Sequence, residues 1–139
     1  MIYETPVKSI RKPADVAGIF RTILKSEEPH DRDKEHFWIV GLNAKNVISF
    51  VDLVSLGSLT SCMAYPREVF RPAILHGVYA IILCHNHPSN STAPSPEDRE
   101  IATRLISAGE ILGIRVLDHI IIGVNGYFSF VDNGLITPE

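Results

Sequence analysis

The chain has 139 residues, with 13 Lys and Arg against 16 Asp and Glu, and a formal net charge of -3 with its six histidines neutral. Hydrophobic residues at 45% and charged residues at 21% match a globular chain, which excludes a disordered tail, a collagen-like repeat and a coiled coil. The length fits one domain over residues 1–139, and the slightly acidic balance does not support a nucleic-acid partner, because proteins that grip phosphates unaided carry a net basic surface.

The longest apolar runs, Val78 to Cys84 and His119 to Val124, fall well short of the ~20 residues that span a bilayer, so no membrane partner is expected. The N-terminus, Met1-Ile-Tyr-Glu-Thr-Pro, lacks a basic segment followed by an apolar one, and the expected compartment is cytoplasmic. Cys62 and Cys84 are too few for a disulfide scaffold and form no CxxC pair, so both read as reduced. The basic clusters Lys8-Arg11-Lys12 and Arg67/Arg71 are short and read as solvated helix faces.

Along the chain, residues 13–25 place Val16, Ile19, Phe20, Ile23 and Leu24 at helical spacing behind a Pro-Ala-Asp start, which predicts an amphipathic helix. A polar stretch from Ser26 to Lys34 ends it. His36 to Leu42 and Val47 to Val54 are strand-like, and Asn43-Ala-Lys-Asn46 between them has turn chemistry, so the pair predicts a hairpin. The polar segment Ser55 to Tyr65 has room for a further short strand. Pro66 suits the first position of a helix over 66–75, in which Pro72 is expected to bend the chain.

Val78 to Cys84 is a continuous apolar run, the pattern of a central strand buried on both faces. A proline- and serine-rich segment from His87 to Pro96 leads into a second long helix, Glu97 to Leu112, with Ile101, Leu105, Ala108 and Leu112 on one stripe and Gly113 as its stop. Ile114 to Ile122 returns as a strand, and Asn125-Gly126 turns it into Tyr127 to Val131. The order αββαβαββ predicts an α/β fold in which helices cover a mixed sheet.

His85-Asn86-His87 lies where the buried run ends, and alternate residues of an extended chain project to one side, so the two imidazoles can converge on one point. Eleven residues after His87 comes Asp98, one turn into the predicted helix. A carboxylate there could complete a His-His-Asp metal set and leave a fourth tetrahedral position open, the arrangement of catalytic zinc sites. Ser95-Pro-Glu-Asp98 also reads as a helix start, with Ser95 as N-cap and acids against the positive end of the dipole, and capping is compatible with catalysis. His30, His36 and His76 show no partner pattern and read as non-ligands. Cys84, one residue off His85, faces the other side of the strand and reads as core.

The run His85-Asn-His87-Pro88-Ser89, followed by Pro94-Ser95 and Asp98, resembles the JAMM motif of the MPN (JAB) metalloprotease superfamily: His-x-His, seven residues, Ser, two residues, Asp. The flanks, Tyr65-Pro-Arg-Glu-Val-Phe-Arg-Pro-Ala and Leu112-Gly-Ile-Arg-Val-Leu-Asp-His-Ile-Ile-Ile-Gly123, resemble the RadC branch over residues 7–135. The resemblance implies a cytidine-deaminase-like α/β sandwich and a zinc ion held by His85, His87 and Asp98. It also implies a general-base glutamate, for which Glu35 is preferred over Glu68, and Ser95 as the hydrogen-bond donor to the tetrahedral intermediate. Asn90 stands where most RadC relatives have glycine, and asparagine tolerates left-handed backbone best among the other residues. Longer relatives carry an N-terminal helix-hairpin-helix region for DNA, and the chain is expected to be a short form without it.

Two functions follow from that resemblance. The first is a zinc metallopeptidase or isopeptidase that hydrolyses a peptide or protein-conjugate substrate with water activated by the metal, Glu35 taking the proton. The second is a DNA-repair-associated accessory protein whose zinc site is structural or vestigial. A nucleobase deaminase is disfavoured, because the Pro-Cys-x-x-Cys ligand pair of that chemistry is missing.

Overall fold

The central strand of the sheet is the apolar run that precedes His85. In a computed structural model, which describes residues 2–3, 9–57, 64–89 and 91–137, the elements are β1 (Ile2–Tyr3), α1 (Pro13–Ser26), α2 (Pro29–Arg32), β2 (His36–Leu42), β3 (Ile48–Leu56), α3 (Pro66–His76), β4 (Ala80–Asn86), α4 (Pro96–Leu112), β5 (Arg115–Ile122) and β6 (Tyr127–Ser129). They form a six-stranded mixed sheet in the order β1-β3-β2-β4-β5-β6. Only β4 and β5 run parallel, joined by the crossover helix α4, and every other neighbouring pair is antiparallel. All seven residues of β4 are buried, as a strand covered on both faces requires.

One face of the sheet packs Phe37, Ile39, Ile81 and Leu83 against α3 and α4 through Val69, Phe70, Ile101 and Leu105. The opposite face packs Trp38, Val40, Ile82 and Cys84 against α1 through Val16, Ile19, Phe20 and Ile23. Strand alternation therefore sends Cys84 to the α1 core and His85 toward α4, as the one-residue offset implies. The α/β fold with a mixed sheet flanked by helices matches the expectation.

Several element ends differ from the sequence reading for local reasons. Strand β4 begins at Ala80 rather than Val78, because the Val78 N–H bonds the carbonyl of Ala73 and completes the end of α3. It continues through Asn86, so His85 lies within the strand and not beyond it. Strand β6 stops at Ser129 because the chain curls there, with Val131 N–H donating to the Asp118 carboxylate at 3.0 Å. The polar stretch after α1 contains the one-turn helix α2, and α3 runs through Pro72. Gly113 ends α4 in left-handed backbone, φ 75°. The readings for Cys62, Lys8 and Asn90 lie outside the described residues, as does the part of the short-strand reading for Ser55 to Tyr65 that falls on 58–63.

Candidate metal centre

The site is assembled at the carboxyl end of β4. The His87 N–H bonds the Ile122 carbonyl at 2.9 Å, which extends the parallel ladder one residue past the strand and keeps the backbone extended. His85 and His87 consequently project to the same side. Across from them, α4 starts with a reciprocal cap: Ser95 Oγ accepts from the Asp98 N–H at 3.0 Å, and Asp98 Oδ2 accepts from the Ser95 N–H at 2.8 Å. The cap fixes the Asp98 carboxylate over the strand end. Its Oδ1 lies 3.1 Å from His85 Nε2 and its Oδ2 3.0 Å from His87 Nε2, and the two Nε2 atoms are 3.0 Å apart. The side chains of His85, His87 and Asp98 are 1%, 15% and 8% exposed, so His87 is the most accessible of the three.

These distances test whether the residues fit a metal. His87 Nδ1 lies 2.8 Å from the Ser91 carbonyl, which can only accept, so Nδ1 carries the hydrogen and a neutral His87 turns a lone pair at Nε2 toward the carboxylate. A lone pair facing a carboxylate at hydrogen-bonding distance is repulsive unless a cation lies between them. A proton can serve as that cation: the hydrogen bond to Asp98 raises the His87 pKa above its usual value against the opposing effect of burial. Burial by itself would raise the Asp98 pKa as well, but hydrogen bonds from His85 and His87 override it and hold the carboxyl well below its usual range. A divalent ion can take the place of the shared proton. Donors around tetrahedral zinc stand about 3.3 Å apart, the edge of a tetrahedron with ~2.0–2.1 Å bonds, and the observed spacing is only slightly tighter. Among the described residues the group consists of these three side chains, so a fourth position is left over.

The remaining predicted residues separate. Glu35 is half-buried just before β2, and its charge contributes to raising the His87 pKa, which puts it in electrostatic range of the site without joining the donor group. Ser95 is the cap of α4, bonded to Asp98 in both directions. Glu68 is exposed beside Arg67, 3.8 Å away, in a groove lined by Asp52, Val54, Arg71 and Leu75 that contains none of the three donors. His30 pairs with Asp31, His36 Nδ1 lies by the Lys34 carbonyl and His76 Nδ1 by that of Pro72; none of them joins the cluster.

Two residues escaped the sequence reading. Asn86, between the histidines, points to the other face, where its Oδ1 accepts from the His36 N–H at 2.6 Å and its Nδ2 donates to the Lys34 carbonyl at 3.0 Å. It thus clasps the residues on either side of Glu35. His119 of β5 is fully buried with its Nε2 2.7 Å from His85 Nδ1. The only hint of it in the sequence was the histidine that opens the apolar run His119 to Val124.

A mixed α/β sheet that delivers two histidines from its central strand and an aspartate from the first turn of the following helix defines a metal-site domain of the JAB type. Residues 10–135 match the family described as the RadC-like JAB domain, and the chain belongs to that family. The superfamily includes metallohydrolases. Relatives include a UPF0758 protein of Desulforudis audaxviator, 49% identical over 127 residues that make up 91% of this chain and 53% of the relative. One of Symbiobacterium thermophilum is 52% identical over 103 residues, 74% of this chain and 44% of the relative. One of Trichlorobacter lovleyi is 51% identical over 124 residues, 89% and 52%. The chain spans about half the length of these relatives. No helix among the described residues is long and apolar enough to cross a membrane.

Proposed function

We propose that the chain is a zinc-dependent amide hydrolase, a metallopeptidase or isopeptidase acting on a peptide or protein conjugate. The observation that carries this reading is the convergence of His85 Nε2, His87 Nε2 and the Asp98 carboxylate within 4.8 Å, with the His87 ring already turned by Ser91 to offer a lone pair. Three donors with a position left over suit catalysis, whereas structural zinc sites close with four. Zinc in such a set supplies Lewis acidity toward a carbonyl oxygen and toward water, whose pKa falls from ~15.7 towards ~7.

The protein's own groups do the rest. Glu35 takes the proton of the attacking water and passes it to the leaving amine. Ser95 Oγ already accepts from the Asp98 N–H, which leaves its O–H to donate to the developing oxyanion, a role worth roughly 3 kcal/mol in comparable sites. Asp98 is held in place by the helix cap, so the carboxylate that would hold the metal is prearranged.

The test is metal analysis of the purified chain beside a peptidase assay. About one zinc per chain is expected, with hydrolysis that a chelator abolishes and zinc restores. Glu35→Gln should retain zinc and lose hydrolysis, because an amide cannot take a proton, while Glu68→Gln should keep both. A chain that takes up no zinc ends the proposal. Salt-dependent DNA binding without chelator-sensitive hydrolysis would replace it with the accessory-protein reading.

A further inference from the structure

Both imidazoles must present Nε2 as a lone pair for the donor set to work, yet only His87 is turned that way by a backbone carbonyl. His85 Nδ1 faces another imidazole, the Nε2 of His119, at 2.7 Å. In the parallel β4–β5 pair His119 is registered with Leu83 and His85 with Ile121, so the two histidines are diagonal neighbours on one face of the sheet. We propose that His119 is a positioning residue whose Nε2 accepts the His85 Nδ1–H, holding His85 in the tautomer and ring orientation that aim its Nε2 at the metal. This rests on the metal-site reading above.

The proton between the rings can lie two ways. If His119 donates, His85 carries its own hydrogen on Nε2, pointed at Asp98, and cannot ligate. If His119 accepts, its hydrogen sits on Nδ1, a buried atom without a hydrogen-bond partner among the described residues. Only the second arrangement leaves His85 a ligand; His119 Nδ1 is unpartnered in both, so the demand of the donor set on His85 Nε2 is what selects between them. The His119 ring is held independently of His85. It stacks on Phe130 at 4.6 Å and 24°, the Phe130 N–H bonds the His119 carbonyl at 3.1 Å, and the Asp118 carboxylate ties the two segments together by accepting from Ser129 Oγ at 2.6 Å and the His119 N–H at 2.7 Å. A ring fixed by its own strand and by the turn after β6 can orient His85; a loose one could not.

The experiment measures zinc affinity by competition with a chromophoric chelator in three proteins, with thermal melts of the metal-free forms as a check on folding. His119→Phe keeps the ring and its stack on Phe130 but removes Nε2, and it should bind zinc about 10–100-fold more weakly. His119→Gln retains an acceptor and should recover most of that loss. The cobalt-substituted proteins should show altered visible absorption in the phenylalanine variant and a near-native spectrum in the glutamine one. A phenylalanine variant that binds within about twofold of wild type overturns the proposal. Should that variant fail to fold, nitrogen-15 histidine NMR of the zinc-loaded wild type decides: a proton on His85 Nδ1 bonded to His119 Nε2 supports it, and a proton on His119 Nε2 overturns it. A wild type that binds no zinc removes the metal reading itself, a result seen before any variant is compared.

Discussion

Each face of the sheet carries a buried histidine near the same end of neighbouring strands, His36 on β2 toward α1 and His85 on β4 toward α4. The His36 ring stacks on Trp38 at 5.0 Å, and Trp38 stacks on Phe20 at 4.7 Å. Its Nδ1 meets the Lys34 carbonyl, and its Nε2 has no hydrogen-bond partner among the described residues. His85 has the same burial, but its Nδ1 meets His119 and its Nε2 meets Asp98 and His87. Burial does not make an imidazole a ligand. What distinguishes the two is whether a second element brings oxygen or nitrogen to the far side of the ring. On the α1 face the ring is stacked on aromatic carbon and its Nε2 is given no partner among the described residues; on the α4 face the cap of a helix supplies one.

Substitutions on the two faces should therefore fail in different measurements. The largest effect is expected from Trp38→Ala, which empties the centre of the α1-side stack and should cost about 3–5 kcal/mol in a denaturant melt, while whatever remains folded binds zinc as the wild type does. Asp98→Ala should do the reverse. Calorimetric titration should show zinc affinity reduced beyond about a hundredfold, with a smaller loss in the melt from the helix cap, ~1 kcal/mol, and from the pairing with the two histidines. Zinc binding in Asp98→Ala equal to wild type would remove Asp98 from the donor set.

Asn86 links the faces, since it sits between the two histidines in the chain and holds the segment around Glu35. Asn86→Ala leaves the buried His36 N–H without its acceptor and should cost about 1–3 kcal/mol, with zinc affinity near normal and hydrolysis reduced through a misplaced Glu35. His36→Phe is expected to change stability by about 1 kcal/mol in either direction, because one hydrogen bond is exchanged for removal of an orphaned nitrogen, and to leave zinc binding unchanged. Its contrast with His119→Phe sharpens the comparison most, since the two substitutions are chemically identical.

The smallest effect is a pH dependence confined to the α4 face of the metal-free protein. The Asp98 pKa is lowered on folding, so its contribution is present above the usual carboxylate value of 3.8 and lost as pH falls through the folded value. The His87 pKa is raised, so its contribution is complete below the usual imidazole value of 6.5 and lost as pH rises through the folded value. The difference in melting temperature between wild type and Asp98→Asn should be greatest between those limits. A difference that is flat across them would mean that the pair does not share a proton.

The helices, the strands and the His-x-His and Ser-x-x-Asp signatures were legible in the sequence because each rests on a short period. Strand alternation puts residues two apart on one side, and the first turn of a helix brings residues three apart together. That is enough to propose His85, His87 and Asp98 and to send Cys84 to the core. The boundary of β4 was misjudged by two residues at each end, since the exit from α3 and the ladder to Ile122 are set by hydrogen bonds that apolar character does not report. Other features were settled only by tertiary structure: the approach of His119 to His85 across 34 residues, and the grip of Asn86 on His36 and Lys34 across 50 and 52. Those contacts depend on β2 and β5 flanking β4 in register, which no local periodicity encodes. The sequence by itself determined which side chains could form a donor set, and the packing of the sheet decided which neighbours stand behind them.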